Sequence, residues 1–157
     1  MATCIWQGGA EAVAQQVRLT PGGTIEADDR FLVTIGQRTL NVAAGGTTPA
    51  AVVDALAAAW ASVGPEFDEL TITDEGDTLL VESGTAGIPI TLSVSTTEAG
   101  GGAADGQTFT QSEVRANSGP NCWDVASNWS GGAVPTTGDT VIFENSSVDC
   151  LYGLAQS

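Results

Sequence analysis

The sequence predicts an α+β fold, mostly β: an antiparallel sheet with one packed helix, followed by a β-rich C-terminal segment. Three observations carry that prediction. Residues 31–42 alternate apolar and polar positions around Gly36, an alanine-rich stretch at 49–63 changes to helical spacing, and strand-like segments return at 70–83, 88–97 and beyond 107. One amphipathic helix laid on an antiparallel sheet is the simplest way to bury both apolar surfaces.

The first 23 residues give the weakest pattern. Within AEAVAQQVRLT, β-branched Val13 and Val17 lead into Pro21-Gly22-Gly23, and the stretch reads as a strand. In FLVTIGQRTLNVA, the apolar positions Phe31, Val33 and Ile35 answer Leu40 and Val42 across a two-residue Gly36-Gln37 turn, a hairpin signal. TTPAAVVDALAAAWASVG then begins with an N-cap residue, Thr48, and a first-turn proline, Pro49, and closes at Gly64-Pro65. Val52, Val53, Leu56, Trp60 and Val63 fall on one stripe of that helix, and alanines fill most of the rest. A second hairpin follows in LTITDEGDTLLVES, turning at Asp74–Asp77, and residues 88–97 form a further strand with Pro89 near its start. The linker EAGGGAADGQ precedes strands in TFTQSEVRA and TVIFENSSV. The resulting organisation is an N-terminal assembly segment at 1–23, a central α+β module at 24–99, a linker at 100–106 and a C-terminal β-rich segment at 107–157. The ending DCLYGLAQS offers no terminating element, which suggests a chain cut short or completed by outside contacts.

Charge narrows the partners. Nineteen acidic residues stand against four basic ones, all arginine, for a net charge of −15. Phosphate binding needs Lys and Arg to displace counterions, so nucleic acid is not expected as a ligand. An anionic membrane surface is disfavoured for the same reason, and no apolar run approaches the roughly 20 residues that cross a bilayer. The N-terminus MATCIWQGGA has no basic and apolar signal-peptide pattern.

Catalytic chemistry finds little to build on. The chain has no histidine, which removes the commonest general base and the usual zinc ligand. No nucleotide-binding or nucleophile-elbow motif is present. Glu66, Asp68 and Glu69, and Asp74, Glu75 and Asp77, cluster at turns, where solvated acids are expected more than a carboxylate pair flanking a sugar. The second cluster also lacks the spaced oxygen ligands of a calcium loop. Cys4, Cys122 and Cys150 have no paired metal or redox spacing; a Cys122–Cys150 bridge is conceivable, but buried free thiols suit these positions better. No catalytic residue, metal ligand or cofactor is therefore expected, and the chain reads as no enzyme.

The candidate contact residues are tryptophans. Trp60 belongs to the helix core. Trp6, followed by Gly8 and Gly9, suits packing into a neighbouring subunit, while Trp123 and Trp129 suit either a small core or a carbohydrate platform. The NWS and NSS triplets at 128 and 145 match glycosylation acceptors.

Two resemblances attach to these residues. The stretch from DRFLVTIGQRTLNVAAGGTTPAAVVDALAAAW through LTITDEGDTLLVESGTAGIPITLSVST resembles a module of tailed-bacteriophage structural proteins, on Val33, Thr34, Ile35, Gly36, Val53, Ala55, Leu56 and Trp60. WDVASNWSGGAVPTTGDTVIF is similar to the start of β-helix fibre and adhesin proteins, on Trp123, Asn128, Trp129, Pro135, Gly138, Asp139 and Val141. Together they imply a virion structural protein, a fibre or spike or a capsid- or tail-attached part, acting by homo-oligomeric assembly with other virion proteins. The alternative they leave is a carbohydrate-binding, adhesive module of a bacterial surface protein, with a host-surface glycan as partner.

Overall fold

The computed structural model describes residues 1–99, 106–144 and 146–152. Most of the expected linker, at 100–105, and the second acceptor triplet's Asn145 lie outside the described residues. The fold is α+β and mostly β, with antiparallel sheets and one main helix packed against them. In chain order the strands are β1 (Thr3–Ile5), β2 (Gln16–Gly22), β3 (Arg30–Ile35), β4 (Arg38–Ala43), β5 (Leu70–Asp74), β6 (Leu79–Ser83), β7 (Leu92–Thr97), β8 (Thr108–Arg115) and β9 (Thr140–Ile142). Helix α1 spans Pro49–Ala59 and the single-turn α2 spans Pro65–Asp68. No helix among the described residues is long and apolar enough to cross a membrane.

The chain divides into two compact units, each assembled from separate segments. Of the described residues, those within 16–84 and 90–114 make a sheet unit, and those within 1–15, 85–89 and 115–152 make a unit from the two ends of the chain.

The sheet unit holds two sheets, in the orders β5-β6-β2-β8 and β4-β3-β7. In the second, β3 is central and antiparallel to both neighbours, with Val33 opposite Leu40 on one side and Val94 on the other. The β3–β4 hairpin pairs Ile35 with Arg38, leaving Gly36-Gln37 as the two-residue loop. Gly36 sits at φ +59°, a left-handed value that a side chain would resist and that a primed hairpin turn requires. Alternation then sorts the side chains: Phe31, Val33, Leu40 and Val42 are buried, while Thr34 and Thr39 share a 2.9 Å hydroxyl hydrogen bond on the other face. In the first sheet, Val17 and Leu19 of β2 and Leu79 and Val81 of β6 are buried by the same alternation. Gly23, at φ +76°, follows β2 where a Cβ would run into the Gly106 carbonyl.

Helix α1 starts as its sequence dictates. The Thr48 hydroxyl accepts the Ala51 amide at 3.3 Å and Pro49 occupies the first turn, where its missing N–H is no loss. Its apolar stripe of Val52, Val53, Leu56 and Trp60 joins the core shared with both sheets. The α-helix stops at Ala59 and tightens into a 3₁₀ turn over Trp60–Ser62. Gly64 at φ +141° breaks the path, and Pro65 restarts it as α2, which buries Phe67 against Trp60 with ring centroids 4.9 Å apart. Thr48→Ala should destabilise the sheet unit by about 1 kcal/mol, while Thr48→Asp leaves it nearly unchanged, as read by urea unfolding.

The strand expected over 88–97 begins only at Leu92. Pro89 has no N–H for a ladder, and the Gly87 amide donates instead to the Val13 carbonyl at 3.2 Å within the terminal unit.

Candidate functional site

The site grows from the way β1 is held. On one side it runs parallel to β9, pairing Thr3 with Thr140, Cys4 with Val141 and Ile5 with Ile142. On the other, Trp6 bridges antiparallel to Trp129, the Ser130 amide donates to the Ile5 carbonyl at 2.9 Å, and the Ile5 amide donates to the Ser130 Oγ at 2.9 Å. A second parallel contact sets residues 121–123 beside Leu151: the Leu151 amide donates to the Asn121 carbonyl at 2.8 Å, and the Trp123 amide donates to the Leu151 carbonyl at 3.1 Å. Parallel neighbours need a long crossover, here supplied by residues 124–149.

Asn128 is the hub of this unit. It is fully buried, and both ends of its amide are engaged. Its Oδ1 accepts the Ala10 amide at 2.7 Å, and its Nδ2 donates to the Gly119 and Cys122 carbonyls, each at 2.8 Å. Its own carbonyl accepts the Gln7 amide at 2.7 Å. The first glycosylation triplet is therefore closed in the folded chain, because its acceptor nitrogen is buried and bonded twice.

Five aromatic rings gather around the hub. Trp6 and Trp129, both about 1% exposed, meet edge to face at 4.9 Å. The Trp6 N–H donates to the Val148 carbonyl and the Trp129 N–H to the Trp123 carbonyl, each at 2.8 Å. Their rings form a floor and offer no face to solvent. Trp123 is half-buried over Trp129, centroids 4.6 Å apart. Tyr152 meets Trp123 edge to face at 5.6 Å, and Phe143 approaches it at 6.4 Å. These two outer rings are 76% and 56% exposed. The sequence singled out Trp6, Trp123 and Trp129, and the structure brings all three together but leaves only Trp123 at the surface. Phe143 and Tyr152 were missed; their signal was an aromatic residue just after each apolar stretch that returns to the tryptophans.

Asp139 fastens the N-terminus to the turn before β9. Hydrogen bonds from the Ala2 amide, the Thr136 amide and the Thr136 hydroxyl hold its carboxyl at about 2, below an ordinary value of 3.8. Because the folded value is the lower, the stabilisation is complete above the ordinary carboxyl range and is lost as pH falls toward 2. Asp139→Asn should accordingly flatten the loss of near-UV circular dichroism between about pH 4 and pH 2. A mutant trace that follows the native one throughout that window would refute this assignment.

All three cysteines are free thiols, as expected, so the conceivable Cys122–Cys150 bridge is not formed. Burial pushes the Cys122 thiol up; burial and then the Asp124 charge raise Cys150. Raised thiols are poor nucleophiles at neutral pH.

The clustered acids lie elsewhere, at turns of the sheet unit. Glu66 pairs with Arg38 at 3.0 Å beside an open depression lined by Gln37, Thr39 and Val63. Glu75 pairs with Arg18 at 2.9 Å, and Asp74 accepts the Gly76 amide at 2.7 Å inside its own turn. Among the described residues no group of three His, Cys, Asp or Glu side chains could hold a metal ion.

Compared with known proteins, the chain matches no family model and no curated protein.

Proposed function

We propose that this chain is a structural protein of a bacteriophage virion, a fibre or spike or a capsid- or tail-attached component, and that it works by homo-oligomeric assembly rather than catalysis. The reading rests most on the parallel pairing of residues 121–123 with Leu151 and its neighbours, reinforced by the parallel β1–β9 pair. The contact between residues 121–123 and Leu151, closed by a crossover of its own, is the kind of pairing that successive turns of a parallel coil make. Among the described residues no strand lies on the outer side of 150–152. Stacked coils gain their core from neighbours, so such an edge is suited to further strands from another copy or another virion protein. The resemblance to fibre and phage modules points the same way. On this reading the chain works in the virion, its partners are copies of itself and other virion proteins, and neither nucleic acid nor a membrane is among them.

Light scattering with negative-stain imaging of the same peak tests the proposal. A closed trimer or ring is expected; a stable monomer at micromolar concentration would overturn it.

A further inference from the structure

We infer that Trp123, Phe143 and Tyr152 form a binding site for a neutral glycan, in which the apolar face of a pyranose ring lies on the outer aromatic rings and its hydroxyls meet the polar groups between them. Exposure is the first ground: Tyr152 and Phe143 leave 76% and 56% of their surface to solvent while their inner edges are fixed against Trp123. Rings pinned from beneath lose little freedom when a ligand covers them, which favours binding.

The second ground is unengaged polar chemistry. The N–H groups of Trp6 and Trp129 donate to backbone carbonyls, but that of Trp123 donates to no described residue, and the Tyr152 hydroxyl likewise has no partner among them. Asp124, next to Trp123, is exposed. An indole donor and a phenol on rings at the surface, with a solvent-facing carboxylate one residue along the chain, match a ligand that is apolar on one face and hydroxylated at its rim. Covering the rings with an apolar protein face would strand the Trp123 N–H and the Tyr152 hydroxyl, a costly outcome.

Charge selects within the glycans. At −15 the chain repels sialylated or sulfated sugars over a Debye length of roughly 8 Å, whereas a neutral sugar carries no such penalty.

The inference shares Tyr152 with the edge proposed for assembly, and the test separates the two. The full chain is applied to an array of neutral and sialylated oligosaccharides, and the best neutral one is titrated by tryptophan fluorescence. Saturable binding is expected for a neutral glycan and not for its sialylated form. Tyr152→Ala and Phe143→Ala should each weaken binding at least tenfold with near-UV circular dichroism otherwise retained. The inference fails if no neutral glycan is retained, if sialylated forms bind equally, or if both variants bind like the native chain. It also fails if Tyr152→Ala dissociates an oligomer, which would make these rings a seam between copies. A monomer that binds a neutral glycan defeats the assembly reading alone; an oligomer blind to every neutral glycan defeats this one alone.

Discussion

Asn128→Ala is expected to lower the stability of the terminal unit by about 3 kcal/mol, from one buried amide left without its acceptor and two buried carbonyls each losing one of two hydrogen bonds. The Ala10 amide loses the acceptor that holds it, while the Gly119 and Cys122 carbonyls keep only the Cys122 and Val125 amides, at 3.1 and 3.4 Å. Asn128→Asp separates hydrogen bonding from shape. It keeps the acceptor for Ala10 but turns two donated bonds into carboxylate–carbonyl repulsion in a fully buried place, so it should be at least as damaging. The check is urea unfolding followed by tryptophan fluorescence, with the midpoint falling and the slope unchanged. A midpoint within 1 M of native for both variants would remove Asn128 from its central role.

Trp60→Ala should cost the sheet unit about 4 kcal/mol, as expected for emptying a large aromatic site in a packed core. Trp60 is 4% exposed, meets the Phe67 ring edge to face, and donates its N–H to the Phe67 carbonyl at 3.0 Å. It thus holds α2 to the end of α1. Trp60→Phe keeps most of the volume and loses the hydrogen bond, for a cost of about 1–2 kcal/mol. Far-UV circular dichroism during urea unfolding measures both. Equal costs for the two variants would show that the hydrogen bond, and not the packing, carries the effect.

The sheet unit was legible because its signals are local. A glycine between alternating segments, a threonine three residues before an amide it can cap, and a valine–leucine–tryptophan stripe each specify a neighbour a few positions away. α2 escaped because Gly64-Pro65 marks a helix end as well as a helix start, and here it does both. The two-sheet arrangement also escaped: β2 reaches across more than fifty positions to β6, and no local pattern encodes that pairing.

The terminal unit was legible only in its residue types. Trp123 and Trp129 stand six positions apart, yet one reaches the surface and the other is enclosed, because Trp6, just after β1, packs on Trp129. β1 itself is three residues whose partners lie at the far end of the chain, too short for periodicity to register. The cysteine question turned on register. Cys122 faces Leu151 across the parallel contact, so Cys150 stands one residue back and, by the alternation of a strand, on the opposite face.

The embrace of β1 by β9 and Ser130 also sets a timetable. Every residue of the sheet unit has been synthesised by Val114, so its strands can pair while the chain is still growing. β1 is made first but has no partner until Ile142 emerges, on the order of ten seconds later at ordinary elongation rates. Through that interval Trp6 has neither Trp129 to pack on nor the Val148 carbonyl to receive its N–H. Translation stalled between these points yields a nascent chain with a complete sheet unit and an unsheltered indole at its front, a natural handle for a chaperone that binds apolar segments.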